Sequence, residues 1–121
     1  MPEKRILLVE DEPVVQQMLG IVLRGEGYTV DAASTVSEAM ALLDTQPYAL
    51  AIVDWRLPEG GDGLLVADSA AELGARTMVM SGYLFQMPGG RADRHETLMK
   101  PVRPAEIIDA VVRAIGKAGV S

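Results

Sequence analysis

Four short apolar runs in this chain each end at a polar side chain whose type could do chemistry. The runs 6–9, 49–53, 76–80 and 96–99 are followed respectively by Glu10 with Asp11, by Asp54, by Ser81 and by Lys100. Carboxylates that gather in one place repel one another unless a cation, a proton or a basic group offsets their charge. If these acidic positions meet in space, they predict a divalent metal site. Mg²⁺ fits best, because it commonly takes one or two carboxylates and fills its other positions with water and phosphate oxygens.

Asp54 could also act as a nucleophile. A carboxylate can attack phosphorus in line and form an aspartyl phosphate when a metal ion and a cation neutralise the moving phosphoryl group. Lys100 supplies a cation for Asp54 or for the phosphoryl oxygens, and the Ser81 hydroxyl can donate a hydrogen bond to those oxygens. The four positions together predict phosphoryl acceptance at Asp54.

The apolar runs belong to a chain in which strand-like and helix-like segments alternate. Strands are predicted at 6–9, 28–33, 49–53, 76–80 and 96–99. Helices are predicted to begin at Pro13, after Thr35, at about Leu64 and at Pro104. On the last helix, Asp109 is expected to pair with Arg113, four residues on. The stretch 84–94 shows no apolar stripe, so a fourth helix there is predicted to be short, irregular or absent.

This alternation predicts an α/β fold, a doubly wound five-stranded parallel sheet with helices on both faces. In the common strand order 2-1-3-4-5, ligands collect beyond the carboxyl ends of strands one and three, where the strand order reverses. Neighbouring strands lie about 4.8 Å apart. Asp11 and Asp54 are therefore expected to lie close enough to share one metal ion.

Length and composition favour one compact domain over residues 1–121, since 49% of the residues are hydrophobic and 23% are charged. The chain has no cysteine, which excludes disulfides and thiolate metal ligands. Its net charge of -6 opposes attraction to nucleic-acid phosphates, and no apolar run approaches the roughly 20 residues that span a bilayer. We expect a cytoplasmic protein with no direct nucleic-acid or membrane partner.

The combination of motifs resembles the receiver domain of two-component response regulators. It consists of LLVEDEP at 7–13, IVD at 52–54 with LP at 57–58, SG at 81–82 and KP at 100–101, in that order across essentially the whole chain. The resemblance implies a flavodoxin-like fold. It also implies that a sensor histidine kinase or a histidine phosphotransfer protein donates a phosphoryl group to Asp54, which shifts a surface recognised by a downstream protein partner.

The same resemblance implies a role for each site residue. Asp11 and Asp54 would bind Mg²⁺ directly, Glu10 directly or through water, and Arg56 through its main-chain carbonyl. Such a domain catalyses its own phosphorylation and dephosphorylation without being a conventional turnover enzyme, and is a monomer or a weak homodimer. We expect residues 1–121 to form a single receiver domain with no output domain in this chain.

Three departures from the ordinary receiver limit what the resemblance implies. Lys100 follows Ser81 by only 19 positions, a few fewer than usual, and the missing length falls where the fourth helix would lie. Thr97 stands where many receivers carry a switching aromatic residue, and the loop after Asp54 is one residue longer than usual. The shortened segment, with Ser81, Gly82 and Tyr83, is similar to a single-domain subgroup with a Phe-Ala-Thr-Gly-Tyr motif.

Other functions compete with this interpretation. The domain could be a phosphorylation-independent interaction module, although the complete set of Asp11, Asp54 and Lys100 disfavours that reading. A flavin-binding domain shares the sheet type, and an aspartate-based phosphatase would need a second acid where Arg56 stands. His95, the one histidine, is expected to be exposed before the fifth strand, and Trp55 to be a partly exposed loop side chain.

Overall fold

The computed structural model describes residues 4–82 and 94–119. Strands and helices alternate along these residues. In chain order they are β1 (Arg5–Val9), α1 (Pro13–Gly25), β2 (Thr29–Ala33), α2 (Val36–Thr45), β3 (Leu50–Asp54), β4 (Arg56–Leu57), a 3-10 turn (Pro58–Gly60), β5 (Gly61–Asp62), α3 (Gly63–Glu72), β6 (Arg76–Ser81), β7 (Glu96–Met99) and α4 (Pro104–Ile115).

The five longer strands form one parallel sheet in the order β2-β1-β3-β6-β7, and the two-residue strands β4 and β5 form a separate antiparallel pair. The register places Val9 beside Val53, Asp54 beside Met80, and Ser81 beside Met99. The carboxyl ends of the strands therefore meet at one edge of the sheet, with the reversal of strand order between β1 and β3.

The central strands are buried on both faces, and their side chains alternate between two cores. Ile6 and Leu8 of β1 face one core, which α1 and α4 cover with residues such as Leu19 and Ile107. Leu7 and Val9 face the other core, which α2 and α3 cover. All four β1 side chains named here have no exposed surface. Burial of each such side chain contributes about 1.5 to 3 kcal/mol, which holds the site-bearing strands in place.

Local signals set the helix ends. Pro13 and Pro104 open α1 and α4, where the missing proline N–H would have no helical partner. At α2 the backbone N–H of Glu38 donates to the Thr35 hydroxyl at 3.1 Å. The predicted pairing of Asp109 with Arg113 is wrong, because Arg113 instead pairs with Glu96 of β7 at 3.2 Å.

The predicted fold class and strand order are confirmed, with the fourth and fifth predicted strands corresponding to β6 and β7. The small β4–β5 pair was not predicted. Residues 84–93 of the stretch in which a fourth helix was doubtful lie outside the described residues. Over the part of the chain that the structure describes, no helix has the length and apolar character required to cross a membrane.

Candidate functional site

Three carboxylates converge where β1 and β3 end. Glu10 and Asp11 follow β1, and Asp54 is the last residue of β3. Each offers an oxygen within 4.8 Å of the others. Asp11 is exposed, whereas Asp54 is 7% exposed and Glu10 has no exposed surface. The predicted meeting of Asp11 and Asp54 across the β1–β3 boundary is therefore observed.

Lys100 lies across two of these carboxylates. Its Nζ donates to Glu10 Oε1 at 2.8 Å and to Asp54 Oδ2 at 3.1 Å. The lysine reaches them because its backbone N–H continues the β6–β7 ladder and donates to the Ser81 carbonyl at 3.0 Å. The predicted contact between the Lys100 ammonium and Asp54 is therefore observed, and the ammonium lies closer to Glu10 than to Asp54.

The electrostatics of the site follow from this crowding. Burial, and then the charge of Glu10, raises the pKa of Asp54 to about 6, although Lys100 acts in the opposite direction. Burial by itself would lower the pKa of Lys100, but its bonds to Glu10 and Asp54 hold that pKa above its ordinary value. The negative charge of the site therefore exceeds what Lys100 alone offsets, which favours binding of a further cation.

Glu10 is held from several sides. Its Oε2 accepts the backbone N–H of Glu12 at 3.1 Å, so both of its oxygens have partners. Its carbonyl accepts a hydrogen bond from Gln16 Nε2 at 2.8 Å, and the same amide lies 3.2 Å from the Ala33 carbonyl. Gln16 thus ties α1 to the ends of β1 and β2. This role could not be predicted from the sequence, because one glutamine in a helix gives no signal of its own.

An open cleft of about 380 Å³ lies over the Asp54 carboxylate. The residues that line it are Asp11, Glu12, Asp54, Arg56, Ser81, Gly82 and Lys100. Ser81 ends β6 and is 3% exposed, so its placement beside Asp54 comes from the β3–β6 pairing. The cleft is therefore lined by every predicted site residue except Glu10, which is fully buried and bonded to Lys100.

The loop after Asp54 doubles back closely on the end of β3. The backbone N–H of Gly63 donates to the Trp55 carbonyl at 2.6 Å. A Cβ at position 63 would lie 2.0 Å from the Asp54 carbonyl oxygen, so a side chain has no room there. Trp55 is half-buried, as predicted, and the Arg56 guanidinium carbon lies 4.7 Å from its ring centroid.

One expectation about the only histidine is wrong. His95 is buried, at 7% exposed, and its Nε2 lies 2.7 Å from Asp68 Oδ1 of α3. The position before an edge strand suggested exposure, but the side chain contacts Asp68 of α3 and Thr77 of β6. Tyr83, which follows Ser81 and Gly82 in the predicted motif, lies outside the described residues.

The donor set suits a hard divalent cation. Three carboxylates within mutual reach supply oxygen ligands of the kind that Mg²⁺ prefers, with room in the cleft for water or phosphate oxygens. Because Lys100 and the Glu12 N–H occupy both Glu10 oxygens, Asp11 and Asp54 are the better direct ligands. The residues present therefore fit Mg²⁺.

A parallel α/β sheet with an acidic cleft at its reversal point defines the class of doubly wound domains that bind ligands beyond the strand ends. The family model for the response regulator receiver domain matches residues 6–112. This chain belongs to the response regulator receiver family.

Individual relatives agree with the family. The chain is 34% identical over 119 residues to the DNA-binding response regulator MtrA of Mycolicibacterium smegmatis, covering 92% of this chain and 50% of MtrA. It thus spans about half the length of curated relatives such as this one. The response regulator TrrA of Thermotoga maritima, solved in complex with Mg(2+)-BeF, is 29% identical, with a TM-score of 0.81 and coverage of 92% of this chain and 98% of TrrA. TrrA was also solved in complex with the histidine kinase ThkA, with a TM-score of 0.79, 29% identity and coverage of 93% and 98% of the two chains.

Proposed function

We propose that this receiver domain accepts a phosphoryl group on Asp54 in a Mg²⁺-dependent reaction and so shifts a protein-interaction surface. The observation that carries the proposal is the geometry at Asp54. A buried carboxylate with a pKa raised to about 6 lies beside Lys100, within 4.8 Å of other carboxylates and under an open cleft. Phosphoryl transfer needs little covalent chemistry from the protein, and this arrangement supplies positioning and charge.

Each residue has a defined part in the proposal. Asp54 Oδ attacks the phosphorus of the donor, the bond from phosphorus to the donor breaks, and the donor leaves with its electron pair. Lys100 then transfers its hydrogen bond from Asp54 Oδ2 to a phosphoryl oxygen, and Ser81 donates a hydrogen bond to another. Asp11, Asp54 and the Arg56 carbonyl would hold Mg²⁺, and Glu10 would act through water or by orienting Lys100. Bound Mg²⁺ would neutralise the charge on the phosphoryl oxygens.

A direct chemical test uses acetyl phosphate and Mg²⁺ with intact-mass measurement. Wild type should gain a phosphoryl mass when Mg²⁺ is included in the reaction and none when chelator replaces Mg²⁺ from the start, and Asp54→Asn should gain none. Asp44→Asn, which changes an exposed carboxylate of α2, is the matched control and should label like wild type. If wild type stays unlabelled while another receiver is labelled in the same tube, the domain is a phosphorylation-independent interaction module.

A histidine kinase or histidine phosphotransfer protein is the proposed donor, and TrrA supports this because it was solved in complex with the kinase ThkA. The helix α1, which begins two residues after Asp11, offers an apolar surface for such a partner. Val14 and Ile21 are 78% and 69% exposed on α1. Beside them lies a hollow of about 310 Å³, whose lining includes Val15, Met18 and Pro101. The hollow also includes Lys100, so a partner seated there lies next to Asp54.

Substitutions on α1 distinguish docking from chemistry. Ile21→Glu should slow phosphoryl transfer from the host kinases that label wild type, while labelling by acetyl phosphate continues unchanged. Leu65→Glu is the matched control, because Leu65 is 55% exposed on α3, which covers the other face of the sheet. Equal transfer rates for wild type and Ile21→Glu would argue against α1 as the docking surface.

The cytoplasmic location, the single-domain organisation and the oligomeric state stay predictions.

A further inference from the structure

β7 delivers Lys100 to the site but is weakly held by its own side chains. In the described part of the chain it is an edge strand that pairs with β6. Three of its four residues, Glu96, Thr97 and Met99, are exposed, and Leu98 alone packs against the core beside α1 and α4. Short edge strands with little burial open readily. Another contact must therefore help to fix the strand that carries the lysine.

The residue immediately before β7 provides such a contact. The His95 side chain has no exposed surface. Its Nε2 lies 2.7 Å from Asp68 Oδ1 of α3, and its Nδ1 is hydrogen-bonded to the Thr77 hydroxyl of β6. With the proton on Nε2, that nitrogen donates to Asp68 and Nδ1 accepts from Thr77, so both contacts are satisfied at once. One imidazole thus joins α3, β6 and the start of β7.

The position of His95 follows from strand periodicity. Successive side chains of a strand point to opposite faces, so His95, Thr97 and Met99 share the face that α3 covers. Thr97 and Met99 are exposed, which leaves His95 as the buried anchor of β7 on this face in the described residues. Because both of its ring nitrogens have protein partners, the imidazole is engaged in structure and not poised as a base or a metal ligand.

The contact with Asp68 also connects the part of the site that contains Asp54 with the strand that leads to Lys100. Asp68 lies on α3, the helix that begins at Gly63, and Gly63 is bonded to the carbonyl of Trp55 next to the acceptor. Lys100 lies at the other end of β7 from His95. One chain of contacts therefore runs from Trp55, next to Asp54, through α3 and His95 to β7, the strand that leads to Lys100.

We propose that His95 is a positioning residue for Lys100: by clamping the start of β7 to α3 and β6, it holds the strand that places the lysine ammonium beside Asp54. The proposal rests on the function proposed above for Lys100. It predicts that loss of the clamp loosens β7 as far as Lys100, whose backbone N–H is bonded to the Ser81 carbonyl. Removing one partner of a buried hydrogen-bonded group leaves the other unsatisfied, which is costly even when the fold persists.

Hydrogen exchange tests the clamp without any phosphoryl donor. Thr77→Val preserves side-chain size and removes the hydroxyl partner, and His95→Leu removes both contacts. We expect the Lys100 amide to exchange about tenfold faster in each variant, since local opening becomes easier by the cost of an unsatisfied buried group. Glu96→Gln, in the same strand as Lys100's neighbour Met99, is the matched control. It weakens the exposed ion pair between Glu96 of β7 and Arg113 of α4 and should leave Lys100 exchange unchanged.

Labelling by acetyl phosphate at saturating Mg²⁺ tests the consequence for chemistry. His95→Leu should slow phosphoryl uptake and leave Mg²⁺ affinity unchanged, because the carboxylates remain. In a Lys100→Met background His95→Leu should have no further effect. His95→Gln, which retains a side-chain N–H for Asp68, should recover part of the rate.

The outcomes separate this proposal from the function on which it rests. Faster Lys100 exchange with slower, Lys100-dependent uptake supports positioning by His95. Unchanged Lys100 exchange in Thr77→Val and His95→Leu, with only a lower melting temperature, overturns it and makes His95 a packing residue. If wild type accepts no phosphoryl group, the proposed function fails, while the exchange measurement still decides whether His95 clamps β7. Should His95→Leu not fold, Thr77→Val carries the exchange test.

Discussion

The ammonium of Lys100 lies 2.8 Å from Oε1 of Glu10, a carboxylate with no exposed surface, and 3.1 Å from Oδ2 of Asp54. A buried ion pair offsets the cost of desolvating two charges only if both partners remain. Lys100 therefore offsets the charge of Glu10 as well as that of Asp54. Its transfer to a phosphoryl oxygen would withdraw a partner from Asp54 but leave Glu10 to orient it.

Replacing Lys100 should expose this dependence. Lys100→Met leaves Glu10 and Asp54 buried beside each other without their shared cation, and we expect a loss of about 3 kcal/mol in the free energy of unfolding in chelator. Mg²⁺ binds the folded carboxylates and should recover part of that loss. Urea unfolding with chelator and with Mg²⁺ measures both values. Lys117→Met, at an exposed lysine, is the control. An equal loss with and without Mg²⁺ would contradict the explanation.

The pH dependence of the free energy of unfolding should report the cost of burying the charged Asp54 carboxylate. Its pKa is raised from 3.8 to about 6, chiefly by burial, so the folded state binds this proton more tightly than the unfolded state. In chelator, the free energy of unfolding contributed by Asp54 therefore falls as pH rises through this window, and stays lower above it.

Asp54→Asn removes that charge, and should be more stable than wild type at pH 7 by about 1 to 3 kcal/mol, with the difference shrinking toward pH 4.5. Urea unfolding of both proteins across this range provides the measurement. Asp44→Asn changes an exposed carboxylate and should show no such trend. A wild type that is the more stable protein at pH 7 would mean that Lys100 outweighs burial and Glu10.

The sequence predicted the strands and the convergence of the acids because both depend on simple rules. An apolar run bounded by turn residues predicts a buried strand, and parallel strands bring their carboxyl ends to one edge. Asp54 and Lys100 could therefore be placed together although they lie 46 positions apart. The order of preference of Lys100, Glu10 before Asp54, could not be predicted, since it depends on side-chain distances across the sheet.

The remaining features depend on single residues without a repeating pattern. The burial of His95 requires Asp68 and Thr77 to face it from two other elements, which neither periodicity nor composition indicates. The need for glycine at position 63 arises from a close approach to the Asp54 carbonyl that only the folded loop reveals. Arg113 pairs with Glu96 and not with the predicted Asp109, which likewise depends on how α4 lies relative to β7.

Gly63→Ala should disturb the end of β3, where Asp54 lies. A Cβ would lie 2.0 Å from the Asp54 carbonyl oxygen, so the backbone must shift, and we expect a loss of about 2 to 3 kcal/mol in stability together with slower phosphoryl uptake. Urea unfolding and acetyl phosphate labelling measure these effects. Gly25→Ala, at the end of α1 where a Cβ meets nothing within 4 Å, should be neutral or slightly stabilising. Unchanged stability in Gly63→Ala would show that the loop yields freely.

Glu59 is a position at which the loop 55–62, between β3 and α3, should be open to stabilisation without a change in the site residues. Its backbone lies in the left-handed region at φ 60 and ψ 34, which costs a residue with a side chain about 1 to 2 kcal/mol and costs asparagine less. We expect Glu59→Asn to raise the free energy of unfolding by about 0.5 to 1 kcal/mol. Glu59→Ala removes the charge but retains the strain, so thermal unfolding should show no gain. An equal gain in both variants would assign the effect to charge, because the acidic cleft lies a few residues away and its carboxylates repel another anion.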